Sequence, residues 1–192
     1  MDLNEMIIIE TDRLILRTFD ERDIDPMSLI NQDPKVCEFL PAIGTRESTA
    51  KSVHGFIDHY RDHGFSPYAV ELKSTCEMIG FCGLMIPAFE AHFMPAVETG
   101  WRLASQQWNH GYATEAAKAV LQYAFEQLQL NEVVSFTAVE NMRSRRVMEK
   151  IGLHHNSEDD FDHPKLEKTH PLLSHVLYRI SKKEYESKIV LY

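Results

Sequence analysis

Apolar residues recur along the chain in two rhythms, and the alternation between them lays out the elements. Ile7-Ile8-Ile9 and Leu14-Ile15-Leu16 are short apolar runs parted by Thr11-Asp12, which predicts a first strand or a hairpin-like pair. Residues 23–31 predict a short helix, punctuated by Asp33-Pro34. Over residues 45–63, Val53, Phe56, Ile57 and Tyr60 recur at three- and four-residue steps, the period of a helix with one buried stripe. Thr45 is placed to cap its start and Gly64 to end it.

The period then drops to two. Residues 68–72 and 78–86 predict two strands about a turn at Lys73-Ser74-Thr75, and residues 96–103 predict a third. In that third strand Val97, Thr99, Trp101 and Leu103 fall on one face, and Glu98, Gly100 and Arg102 on the other. Helical spacing returns over residues 112–128, where Ala116, Ala117, Val120, Leu121, Ala124 and Phe125 form a broad stripe. Residues 132–139 predict a strand. Asn141 then caps a helix that buries Val147, Met148 and Ile151 and stops at Gly152. The tail offers strands at 154–157 and 174–180, around a polar, proline-bearing insert at 158–171 that reads as loop. No repeat or linker divides the chain, so a single domain over 1–192 is expected: a mixed sheet with helices packed on it, of the α/β (α+β) class.

Composition narrows what this sheet is for. The 192 residues suffice for one full core and are few for two. A net charge of −9 argues against a nucleic-acid binder that works by neutralising phosphates; it suits solubility or a cationic acceptor. No apolar run has the roughly 18 residues needed to span a bilayer, and the acidic opening MDLNEMIIIETDRL lacks the basic flank of a signal peptide. Cys37, Cys76 and Cys82 form no CxxC pair, and their odd number fits a reduced, cytoplasmic setting. Ten histidines crowd towards the tail without HExxH or another tight ligand spacing, so no metal is expected.

The chemistry gathers at residues 106–117, QQWNHGYATEAA. A polar turn with one glycine runs into a helix whose first residues are nearly bare. The leading N–H groups of a helix have no partner within it and carry the positive end of its dipole. Gly111 permits a turn that a side chain would obstruct, Ala113 keeps the approach clear, and Thr114 adds a hydroxyl. Such a start suits a phosphate or diphosphate. Many ordinary helices also begin this way, so the segment alone decides nothing.

Trp108-Asn109-His110-Gly111-Tyr112-Ala113 resembles the acyl-CoA pyrophosphate loop Q/R-x-x-G-x-G/A of the GNAT superfamily of N-acetyltransferases, in its ribosomal-protein (RimJ/RimL-type) branch. Trp108 departs from the Gln/Arg position, and Asn109 stands where that branch usually has Gly; Asn tolerates positive φ. Other pieces resemble the branch in order: ETDRLILR at 10–17, ETGWRL at 98–103, Asn141-Met142-Arg143-Ser144 with VMEKIGL at 147–153, and Leu177-Tyr178-Arg179. The likeness spans about residues 8–182. It implies a GNAT-like fold, a mixed and mostly antiparallel sheet of about six to seven strands flanked by about four helices.

It also implies acetyl transfer from acetyl-CoA to a primary amine, by direct attack in a ternary complex. The central strand and the one after the helix then splay apart, with pantetheine along Trp101-Arg102-Leu103-Ala104 and the thioester near Trp101 or Arg102, where a backbone N–H serves the oxyanion. The cofactor's diphosphate lies at His110, Gly111, Tyr112, Ala113 and Thr114, and Asn141 contacts the cofactor further along. Glu98, on the polar face of its strand, is the candidate base, against the plainer reading of a surface glutamate. His175 is a second base candidate. Many GNAT enzymes protonate the leaving sulfur from a tyrosine four residues after the Ser144 position; here Met148 stands there, which moves that role to Ser144. Arg143, Arg145 and Arg146 form a basic cluster, either a solvated helix face or, at Arg146, a contact to the 3′-phosphate.

The acceptor, a peptide N-terminus or a small amine, has no signature of its own. Presenting a lysine amine neutral at pH 7 costs roughly 4–5 kcal/mol, an α-amine roughly 1, which favours the α-amine for a single modest base. A non-catalytic acyl-CoA-binding module is the alternative reading, and an exposed tail strand offers an edge for a homodimer. A nucleotide-phosphate binder would need GxxxxGK[ST], which is absent.

Overall fold

A computed structural model of the protein describes residues 6–189; the first five residues of the acidic opening and the last three lie outside them. The first apolar runs form the hairpin of the two alternatives. β1 (Ile7–Glu10) pairs antiparallel with β2 (Leu14–Arg17), and Thr11 closes the turn by donating its N–H to the Leu14 carbonyl at 3.0 Å. α1 (Ile24–Gln32) and α2 (Arg46–His63) follow. Thr45 caps α2 by accepting the Ser48 N–H at 3.1 Å, and Gly64 ends it at φ 76°. β3 (Pro67–Leu72), β4 (Glu77–Met85) and β5 (Glu98–Leu103) form an antiparallel meander, then come α3 (Tyr112–Glu126), β6 (Glu132–Ala138) and α4 (Met142–Lys150). The tail carries β7 (His154–His155), β8 (Phe161–Asp162), β9 (Ser174–Ser181) and α5 (Lys182–Ile189).

The sheet runs β1-β2-β3-β4-β5-β6-β9-β7, with β8 also on β9, nine strands among the described residues. The excess over six to seven comes from the split first strand and from two-residue β7 and β8; α5 is likewise additional to the four flanking helices. β9 is not an open edge, because β6 lies on one side and β7 and β8 share the other. The insert is not all loop. Phe161 pairs opposite His175 and buries its ring among Phe89, Phe93 and Phe136, cover that a polar segment would not need.

Each face of the sheet has its own helices. α3 sets Ala116, Ala117, Val120 and Leu121 against Leu16, Val70, Cys82, Leu84 and Leu103. The opposite face packs Ala69 and Phe81 with Phe19, Ile24, Val53 and Phe56, from α1, α2 and their approach. Arg17, 2% exposed, joins α1 to that face by donating twice to Asp23 (both 2.8 Å) and once to Glu71 at 3.1 Å. Among the described residues every strand pair is antiparallel except β5–β6. That parallel pair touches at one place, Glu98 opposite Val134, where the Val134 N–H reaches the Val97 carbonyl at 3.0 Å. Beyond it the two strands part.

Candidate active site

The gap between β5 and β6 is lined on one side by backbone. In a strand, the N–H and C=O of one residue point the same way and alternate along the chain. The Ala104 N–H goes to Ile79 of β4 at 2.8 Å, and the Arg102 carbonyl abuts Gly80, where an added Cβ would lie 2.0 Å from it. Positions 98, 100, 102 and 104 therefore turn to β4. Thr99, Trp101 and Leu103 turn to the gap. The Leu103 carbonyl there accepts the Trp108 indole N–H at 2.9 Å. Of the residues expected along pantetheine, Trp101 and Leu103 offer backbone to the gap; Arg102 offers its backbone to β4 and its side chain to α1.

α3 begins beside this gap. Asn109 takes φ 64° and Gly111 φ 84°, so the Asn at the usual Gly position adopts the left-handed backbone that the turn requires. Gly111 caps α3 with no side-chain bond, and the first i→i−4 bond runs from the Glu115 N–H to the Gly111 carbonyl at 3.0 Å. The N–H groups of Tyr112, Ala113 and Thr114 precede that bond and point out of the helix end. His110 and Tyr112 stack at 5.6 Å, and the Arg13 guanidinium lies 4.5 Å from the Tyr112 ring centroid. Glu115 ties this start to the β1–β2 turn. It accepts from Thr11 Oγ1 (2.6 Å), the Arg13 N–H (3.0 Å) and Arg13 Nε (2.6 Å). Burial raises the Glu115 carboxyl, but these bonds outweigh it and hold the group below its usual range.

α4 begins across the gap. Asn141 caps it by accepting the Ser144 N–H at 3.2 Å, while its amide donates to Thr137 Oγ1 (2.9 Å) and Ser144 Oγ (3.2 Å). Ser144 is thus within reach of the helix start, whereas Met148 is 1% exposed and belongs to the core. The three arginines do different things. Arg145 bonds Val139 O and Tyr178 Oη, so it is structural. Arg143 pairs with Glu38 and lies over the rings of Trp108 (4.6 Å) and Phe39 (5.6 Å). Arg146 is exposed.

Glu98 sits where the strands part, half-buried, and its side chain leans over Gly100, with Oε1 3.7 Å from where a Cβ would be. Desolvation pushes its carboxyl up to about 8. Arg102, on the same face, donates Nη1 to Asn31 Oδ1 at 2.7 Å and lies 5.5 Å over Phe81; burial lowers its pKa. His175 is across the gap, opposite Ala138 of β6. Its Nδ1 is 3.1 Å from the Leu173 carbonyl, its ring 5.0 Å from that of His163, and burial holds both histidines below their usual range.

A groove of about 780 Å³ lies elsewhere, between α1 and the β3–β4 hairpin, over Arg17, Asp23, Glu71 and Met78. Ala104 borders it, but Glu98, Trp101, residues 110–114 and Asn141 do not, so the β5–β6 gap remains the candidate. Among the described residues no group of three or more His, Cys, Asp and Glu is placed to hold a metal, and no helix is long and apolar enough to cross a membrane.

Sequence reasoning missed Thr11, Arg13 and Glu115 as the brace of the α3 start, and Asn31 as the partner of Arg102. Each acts across a long stretch of chain, 102 residues for Arg13–Glu115 and 71 for Arg102–Asn31.

Comparison with known proteins agrees with this geometry. The acetyltransferase (GNAT) domain family matches residues 13–154. The uncharacterized protein YkkB of Bacillus subtilis is 31% identical over 155 residues, 80% of this chain and 89% of that protein. A GNAT-family acetyltransferase from Bacillus anthracis superposes with a TM-score of 0.75 at 26% identity, covering 93% of this chain and 99% of that one. RimL, a ribosomal L7/L12 α-N-protein acetyltransferase solved with coenzyme A, shares the fold with a TM-score of 0.74 at 18% identity, covering 92% and 98%. With the splayed parallel pair, the uncapped helix start and the matched domain in one place, the chain belongs to the GNAT acetyltransferase family.

Proposed function

We propose that the protein transfers the acetyl group of acetyl-CoA directly to a primary amine in a ternary complex, with α-amines the favoured acceptors. The observation that carries this is the uncapped start of α3 opening beside the gap between β5 and β6. The N–H groups of residues 112–114 fit a diphosphate, and Gly111 and Ala113 leave it room. Thr114 and His110 border the same site, and the exposed Arg146 takes the 3′-phosphate. Pantetheine pairs with Trp101 and Leu103 in place of the strand that β6 does not supply, with Asn141 on its other side.

Glu98 takes a proton from the amine as nitrogen attacks the thioester carbon. The Trp101 N–H, turned to the gap, steadies the oxyanion, an effect worth about 2.7–4 kcal/mol where such donors have been removed. The C–S bond then breaks, and the thiolate leaves towards the start of α4, where the helix dipole and Ser144 receive it. A carboxyl near 8 matches an α-amine of about 7.8 far better than a lysine of about 10.4, so proton transfer from the α-amine is close to balanced.

A thiol-release assay with acetyl-CoA and a panel of amines and short peptides tests this reading. Turnover above background is expected for at least one α-amine, falling roughly a hundredfold or more in Glu98→Gln. Coenzyme A binding with background turnover on every acceptor, unchanged by Glu98→Gln, would instead favour a non-catalytic acyl-CoA-binding module.

A further inference from the structure

Resting on the acetyl-transfer reading, we propose that Arg102 anchors the acceptor through an anion: the acceptor is a primary amine that also carries a carboxylate a few bonds from its nitrogen. The two faces of β5 serve two ligands. α3, whose start fits the cofactor, packs on the face of Leu103. Glu98, Gly100 and Arg102 leave from the opposite face, where Arg102 meets Asn31 of α1. A base on that face defines the acceptor's side.

Arg102 there is half-buried and under-matched. A guanidinium has five N–H donors, yet among the described residues the one hydrogen bond this one makes goes to the neutral Asn31 carbonyl, besides the ring face of Phe81 and the nearby Cys37 thiol. Arg17, the other arginine held between sheet and α1, faces Asp23 and Glu71. Two acids that follow α1 are otherwise engaged: Asp33 accepts from Ser105 Oγ, and Glu38 pairs with Arg143. The chain carries 29 acidic against 20 basic residues. In such a chain a desolvated cation without a carboxylate is costly, unless an incoming anion supplies one.

The guanidinium is also held in place. Asn31, 6% exposed, donates its amide to Thr49 Oγ1 at 3.0 Å, which turns its carbonyl to Arg102. The arrangement is pre-oriented for a planar, bidentate partner. Glu98 and Arg102 are four positions apart on one face, about 13 Å at the usual strand rise. Between them stands only Gly100, over which the Glu98 carboxyl already leans. From Gly100 to Arg102 the strand advances about 7 Å, the scale of an amino acid or of an acidic N-terminal residue.

The test is the same thiol-release assay on the full chain, with rates compared per neutral amine, on paired acceptors: glycine against glycinamide, Asp-Ala-amide against Asn-Ala-amide, and spermidine as a cation without carboxylate. Wild type should prefer the carboxylate member of a pair by at least about tenfold in kcat/KM, and the favoured pair separates a free amino acid from an acidic N-terminus. In Arg102→Gln the preference should collapse to within about threefold, chiefly through KM, while Arg102→Lys retains part of it. Glutarate, a carboxylate with no amine, should inhibit wild type competitively with the amine, a readout that needs no variant to fold. Equal use of amides or spermidine, or a preference that survives Arg102→Gln, overturns the Arg102 assignment and leaves acetyl transfer standing. No turnover of any amine overturns both.

Discussion

Arg13 Nε donates to Glu115 Oε2 at 2.6 Å, and this bond fastens the turn between β1 and β2 to the first turn of α3. Arg13 is about half exposed and Glu115 one-fifth, so the pair is partly screened. Its value lies in placement, since Glu115 also takes Thr11 and fixes where the bare N–H groups point. Glu115→Gln should lower stability by about 1 kcal/mol in chemical denaturation and weaken coenzyme A several-fold by calorimetry.

The same bond has a pH signature. The folded Glu115 carboxyl is held below its unfolded value. Its contribution is therefore complete above the unfolded pKa, about 4.3, and is lost as pH falls through the lower folded value. Denaturation curves of wild type and Glu115→Gln should converge on acidification below about pH 4.

Glu98 predicts the opposite displacement. Desolvation raises it to about 8, and the base must be ionised to work. The kcat/KM profile, expressed per neutral amine, should therefore rise with pH through a limb near 8, and Glu98→Gln should remove that limb along with most of the rate. Because the folded pKa is raised, the group costs the fold stability as pH climbs from the unfolded value towards 8. Glu98→Gln should thus be relatively more stable at pH 8 than at pH 5.

Met148 predicts an engineering failure. At 1% exposure it fills the core beneath α4, so Met148→Tyr overpacks that site and should lose about 1–3 kcal/mol without raising turnover. Ser144→Ala should slow the reaction less than about tenfold, because the start of α4 already favours the thiolate. Thermal melts and steady-state rates read both.

Much of this molecule is written in its apolar rhythm. The two-residue period of β5 separated Thr99 and Leu103, both buried, from Glu98 and Arg102, and the stripe of α3 named the residues that cover the sheet. Periodicity describes one element at a time, however. Whether β5 and β6 stay paired past Glu98 depends on both strands together, and only the family resemblance implied their parting. Trp108 looked like a departure from the cofactor loop; its indole N–H occupies the Leu103 carbonyl, a role with no periodic trace. The short β8 was hidden because two residues carry no period, although a lone Phe161 in a polar insert was a visible sign of burial.

If the N–H groups at the start of α3 hold the diphosphate of coenzyme A, amide hydrogen exchange with and without coenzyme A will register it. Exchange should slow at residues 112–114, and both protection and binding heat should be lost in Gly111→Val, where a β-branched residue would have to hold φ near 84° beside Arg13. Unchanged exchange at those amides under saturating coenzyme A would contradict it.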